Sequence, residues 1–196
     1  MALPRTGGFT LIELMIGIAI SALLVVLALP AYQVWIADAQ IRNAAESIAS
    51  GMRLAQGQAV ARNATIELSL DPTTGTGGWT AQQIDRTTCA AVGTPVQVAT
   101  FQEGSPLAKF LPLPAGATTV QFTSLGAMAA PCDGSPTLTE VQISSAVGVA
   151  GARNLNVLVG GGASGVAGQQ SRTGIKICDP QANIKFGPND PKACPT

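Results

Sequence analysis

The chain has 196 residues, its 11 Lys and Arg balance 11 Asp and Glu, and charged residues make up 11% of it, against about 25% in an average soluble domain. It has no histidine, which excludes Ser-His-Asp and Cys-His nucleophile schemes and every His-containing metal site. Charge is uneven: residues 153–196 hold Arg153, Arg172, Lys176, Lys185 and Lys192 against Asp179 and Asp190, a mildly basic end far below the footprint of a strong nucleic-acid binder.

The first predicted element is an apolar run from Phe9 to Leu29, in which Thr10, Glu13 and Ser21 are the polar residues. As a helix it spans roughly 30 Å, the thickness of a hydrocarbon core. A secretory signal has a shorter apolar region of about 7–15 residues and then a small-residue cleavage site. The run therefore reads as a membrane anchor over residues 9–29, behind a polar leader of residues 1–8. Arg5 is the only charge before the run, so the positive-inside rule puts the leader in the cytoplasm and residues 30–196 across the membrane. Glu13 is the anomaly within it. A charge at bilayer depth costs roughly 2.5–3.5 kcal/mol on insertion scales, so a carboxylate there needs a compensating partner or a proton.

After Pro30 the helix becomes amphipathic. Ile41, Ala45, Ile48, Met52, Ala55 and Ala59 recur at alternating spacings of four and three, one apolar stripe. This predicts helix over residues 30–63, with Asn63 marking its end. Pro30 lies inside what would otherwise be one helix, which predicts a kink or local break there.

Strand-like runs follow at Thr65–Leu70, Pro95–Phe101, Thr118–Phe122, Leu138–Ser144, Leu155–Val159 and Gly174–Cys178. Turn-rich stretches at 71–78, 160–168 and 179–195 separate them. The predicted class is α+β, an antiparallel sheet laid on the C-terminal half of one long helix, with residues 64–196 as a β-rich head. Gly160-Gly161-Gly162 lacks the GK[ST] ending of a phosphate loop and reads as a hairpin connection.

The four cysteines, Cys89, Cys132, Cys178 and Cys194, include no C-x-x-C pair. An even count beyond a membrane anchor reads as disulfides in an oxidising compartment, and three pairings are open. Cys178–Cys194 is favoured, because both flank a polar, Pro-rich tail whose closure is worth roughly 3 kcal/mol in the chain-entropy model. Cys89–Cys132 then follows by elimination. No metal, cofactor or catalytic residue is expected.

Gly8-Phe9-Thr10-Leu11-Ile12-Glu13 followed by an apolar helix resembles the processing signal of type IV prepilins and type II secretion pseudopilins. The resemblance implies that a membrane-bound prepilin peptidase cuts after Gly8 and methylates the new amino terminus on Phe9. It also implies that Glu13 pairs with the terminal amine of a neighbouring subunit. The physics agrees: opposite charges about 4 Å apart attract by about 4 kcal/mol at an effective dielectric of 20, and pairing between subunits relieves two costly charges together. The stretch from Ala45 through Arg53 to Asn63 and on to Leu68 resembles the FimT/FimU and GspH group of minor pilins. The ending Gly174–Pro180 and Asp190–Pro195 is similar to FimT in particular.

Some members with that ending bind DNA through a Gly-Arg-x-Arg motif. Here the matching stretch is Gly174-Ile175-Lys176-Ile177: the glycine matches, both arginines are isoleucines, and Lys176 falls on the opposite strand face. Arg172, Lys176, Lys185 and Lys192 remain as a small basic face for weak, salt-sensitive DNA contact, weighed against a solvated charged rim. The expectation is a minor pilin and not an enzyme. Its partners are other pilin subunits, the prepilin peptidase and the inner membrane. A DNA-uptake subunit and a type II secretion pseudopilin are the rivals.

Overall fold

The computed structural model describes residues 10–149, 151–160, 174–182, 190 and 192–194. A single helix, α1, runs 52 residues from Leu11 to Arg62. Thr10 caps it, its extended backbone turning the hydroxyl to accept the Glu13 amide at 3.3 Å. Asn63 ends it in the left-handed region (φ 48°), where its N–H reaches the carbonyls of Ala59 and Val60. Asn is among the few residues with a Cβ that visit this region readily.

Of the kink or local break expected at Pro30, the break is absent: α1 is helical on both sides of it. Proline removes one bond, to the Val26 carbonyl, and crowds that turn at a cost of about 3 kcal/mol. Breaking the helix would leave several more backbone groups unpaired beside an apolar span, which costs more in lipid.

Among the described residues ten strands follow in two antiparallel sheets. The first sheet contains β1 (Thr65–Asp71), β2 (Gly78–Asp85), β3 (Ala90–Ala91) and β4 (Gln97–Thr100). The chain then makes a single 3-10 turn at Phe101–Glu103 and enters β5 (Ala108–Leu113). It returns to the first sheet through β6 (Thr119–Phe122) and β7 (Met128–Ala129). β8 (Glu140–Ser145), β9 (Leu155–Val159) and β10 (Ile175–Cys178) complete the second. The order is β3-β2-β1-β6-β7 in the first sheet, with β4 also on β2, and β10-β9-β8-β5 in the second. The class is α+β as expected, with the strands divided between two sheets.

Both sheets pack on α1: β1, β2 and β6 from the first, β5, β8, β9 and β10 from the second. All six residues of the apolar stripe are buried, joined by Ala44 and Ala49. These alanines let the helix backbone lie close to both sheets. β1 alternates as its sequence says, with Ile66, Leu68 and Leu70 inward. Phe101, leaving the first sheet, stacks on Phe110 of β5 with ring centroids 4.0 Å apart and joins the two halves of the core.

The six expected strands are all present, and β2, β3, β5 and β7 are additional. β2 (GWTAQQID) lacks clean alternation, and its pairing to β1 on one side and to β3 and β4 on the other holds it. β5 contains Pro112, which argues against a central strand. It is an edge strand paired only to β8, where a missing N–H need not leave a ladder bond unmade.

Candidate assembly interface

From Leu11 (76% exposed) to Leu29 (47%), every large apolar side chain of α1 is uncovered. An 18-residue window here has a mean hydropathy of 2.7, so this half of the helix is long and apolar enough to cross a membrane. Its polar groups are handled locally. Ser21 donates its hydroxyl to the Gly17 carbonyl at 2.7 Å, which lets a serine sit in an apolar helix. Glu13 lies at the third helical position after Thr10, the spacing of a capping box, and its negative charge in the first turn complements the helix dipole. Its amide is satisfied by Thr10. Among the described residues its carboxylate has no partner. Gly8 and Phe9, the expected cleavage and methylation residues, lie outside the described residues.

The second half of α1 is fixed in the head by specific polar links. Asp38 accepts the Arg153 amide at 2.8 Å and lies 3.9 Å from its guanidinium. Arg53 donates to the Ile175 carbonyl of β10 at 3.3 Å, and Gln56 donates to the Gly126 carbonyl at 2.8 Å. The Trp79 indole N–H donates to Ser47 Oγ at 3.0 Å while its ring lies against Gly51.

Cys178 pairs with Cys194 (Cα–Cα 4.9 Å) and Cys89 with Cys132 (5.8 Å). The second pair ties the turn after β2 to the connection after β7, two segments that are far apart in the strand order of the first sheet. At the first pair the C-terminal segment is laced to the end of β10: Asp179 N–H donates to the Lys192 carbonyl at 2.7 Å, and Lys176 Nζ reaches the Ala193 carbonyl at 3.3 Å. Ile175 and Ile177 are half-buried against the core, and Lys176 faces outward. A groove beside this loop interleaves Asp38, Glu46 and Asp179 with Arg42, Arg153 and Lys192. Alternating signs of charge make a poor track for a phosphate backbone, which draws its affinity from uncompensated cations. Arg172 and Lys185, the other two members of the expected basic face, lie outside the described residues.

The family model described as type II transport protein GspH matches residues 44–163, more than half of the chain. The chain belongs to the GspH family. The prokaryotic N-terminal methylation motif matches residues 3–29, the leader and the apolar run together. No curated protein and no solved structure matches the chain. The GspH match begins in the buried half of α1 and runs through both sheets to the end of β9. The methylation motif covers the exposed half. The two halves of the long helix therefore carry two separate signatures, one for processing and anchoring and one for the head. As a family member the chain is a membrane-anchored minor pilin or pseudopilin of a type IV pilus or type II secretion system.

Several interface residues escaped the sequence reading. Thr10 was legible as a cap from its spacing to Glu13. Asp38, Arg53 and Arg153 were not, because their partners lie more than a hundred residues away along the chain.

Proposed function

We propose that this GspH-family protein is a minor pilin, a structural and assembly subunit of a type IV pilus, and that it performs no catalysis. It is inserted in the inner membrane with its head in the periplasm, cleaved after Gly8 and methylated at Phe9. It then enters the filament by packing α1 against its neighbours, near the tip, where it helps start assembly. The observation that carries this reading is the Glu13 carboxylate, without a partner among the described residues and set in an uncovered apolar helix. In lipid that charge is costly alone and favourable when it meets a cation between subunits. The ending at Gly174–Pro180 and Asp190–Pro195 favours the pilus.

A second reading, a minor pseudopilin of a type II secretion system, is favoured by the description of the family model itself. The subunit plan and the role of Glu13 are the same in both. A DNA-uptake role draws less support: Lys176 is engaged by Ala193 and Lys192 sits among carboxylates.

The test replaces Glu13 with Ala. The variant should insert and be processed like the native chain, while its amount in sheared filaments falls about tenfold or more, a loss of over about 1.4 kcal/mol per subunit. Native amounts of the variant in filaments would refute intersubunit pairing at Glu13. Deleting the gene distinguishes the two machines by which is lost, surface pili or secreted enzymes.

A further inference from the structure

Between the membrane half of α1 and the half buried in the head lies a short interval, residues 30–36, that neither signature explains. It carries Tyr32 and Trp35, 57% and 66% exposed, with ring centroids 6.1 Å apart and planes inclined by 24°. Their i, i+3 spacing puts both on one face of the helix. At about 100° per residue, that face lies roughly half a turn from the one bearing Ala37, Ile41, Ala44 and Ile48, which are buried in the head. The pair therefore points away from the head. Among the described residues neither the Tyr32 hydroxyl nor the Trp35 N–H has a hydrogen-bond partner. The other tryptophan differs: Trp79 is 4% exposed and bonded to Ser47.

An aromatic ring with one wet polar tip is the side chain that membrane–water interfaces select. The position fits. Tyr32 and Trp35 stand about 4.5 and 9 Å along the axis beyond Leu29, and the headgroup zone extends roughly 5–8 Å beyond the hydrocarbon on each side. Helical side chains lean toward the N-terminus, which lowers both rings toward the bilayer and brings Trp35 into that zone. Ala37, the first buried residue of α1, begins just above it.

We propose that Tyr32 and Trp35 form an interfacial anchor that seats in the outer headgroup layer of the membrane and fixes the depth of the subunit before assembly. Leu29 then marks the outer end of the hydrocarbon span, and the head rests on the membrane surface by the side of α1 opposite the aromatic pair. The partner is lipid, and continuity of the pair with the apolar span identifies it. This placement rests on membrane anchoring and is independent of which machine the subunit joins.

The test uses the full chain in vesicles of phosphatidylethanolamine and phosphatidylglycerol containing brominated lipids, with bromine either near the headgroup or at the chain ends. Trp35 and Trp79 are the only tryptophans, so the difference between the native chain and Trp35→Phe isolates Trp35. Shallow bromine should quench Trp35 about twofold more than deep bromine, at a depth within the headgroup layer, about 15–22 Å from the bilayer centre. In Trp35→Phe the remaining Trp79 emission should be indifferent to both, which also reports an intact head. Stronger quenching by deep bromine would overturn the proposal by moving the span boundary past Trp35. Quenching by neither would overturn it too, leaving the pair to water or to a neighbouring subunit.

Discussion

Gly51 and Gly57 sit on the same helix, and alanine at the two positions should have opposite effects. A Cβ on Gly51 would lie 2.7 Å from Trp79 Cε2 and 2.8 Å from Cδ2 and Cζ2. Those atoms belong to a buried ring held by β2 and by its bond to Ser47, so the ring cannot simply swing away. Overpacking of this kind costs about 1–3 kcal/mol. Exchanging glycine for alanine inside a helix returns about 1 kcal/mol. Gly51→Ala should therefore lose about 1 kcal/mol net, taking the middle of the overpacking range. Gly57 is exposed and nothing lies within 4 Å of its added Cβ, so Gly57→Ala keeps the whole helix gain, about 1 kcal/mol. The two variants should thus differ by about 2 kcal/mol, which is the overpacking cost with helix propensity cancelled. Denaturant titration of the full chain in detergent, in a Trp35→Phe background so that Trp79 alone reports, measures both. If both variants were stabilised to the same extent, the close fit of Trp79 over Gly51 would be wrong.

Three further outcomes follow from the geometry. Asn63→Ala should lower the thermal midpoint by about 2–4 °C, the effect of about 1 kcal/mol of left-handed strain in a domain of this size, while Asn63→Gly should not lower it. Removing Cys178–Cys194 by a double Ser substitution should cost roughly 3 kcal/mol in denaturant and leave Cys89–Cys132 intact in a non-reducing peptide map. The Thr73 hydroxyl, with the Thr73 amide second, holds the Asp71 carboxyl below the usual aspartate range. Its contribution to stability is accordingly present above the unfolded aspartate pKa and is lost as pH falls through the lower folded value. In an NMR titration Asp71 should titrate below a free aspartate, and Thr73→Ala should move it back up.

The helix was legible because a 3.6-residue period is a strong and local signal. Every residue of the stripe from Ile41 to Ala59 is buried. What covers the stripe was not legible, since a period says that a face is buried and nothing about how many sheets cover it. The strands with β-branched alternation, such as Thr65–Asp71, were visible; those held by their neighbours, β2 with its glutamines and β5 with Pro112, were not. At the N-terminus Glu13 was conspicuous because it is the one charge in an apolar run. At the other end the engagement of Lys176 depends on a carbonyl seventeen residues away, brought close by a covalent loop, and no local pattern encodes that.

The unbroken course of α1 past Pro30 has a mechanical meaning. One rod, about 78 Å long at 1.5 Å per residue, joins the N-terminal end to the core of the head with no linker between them. Tension applied at the membrane end is delivered as shear along the seam where α1 lies against two sheets, packed by small alanines together with Ile41, Ile48 and Met52. The crosswise ties from Asp38, Arg53 and Gln56 act as rivets along it. The subunit can therefore transmit pull along one continuous helix straight into the links that tie that helix to the head.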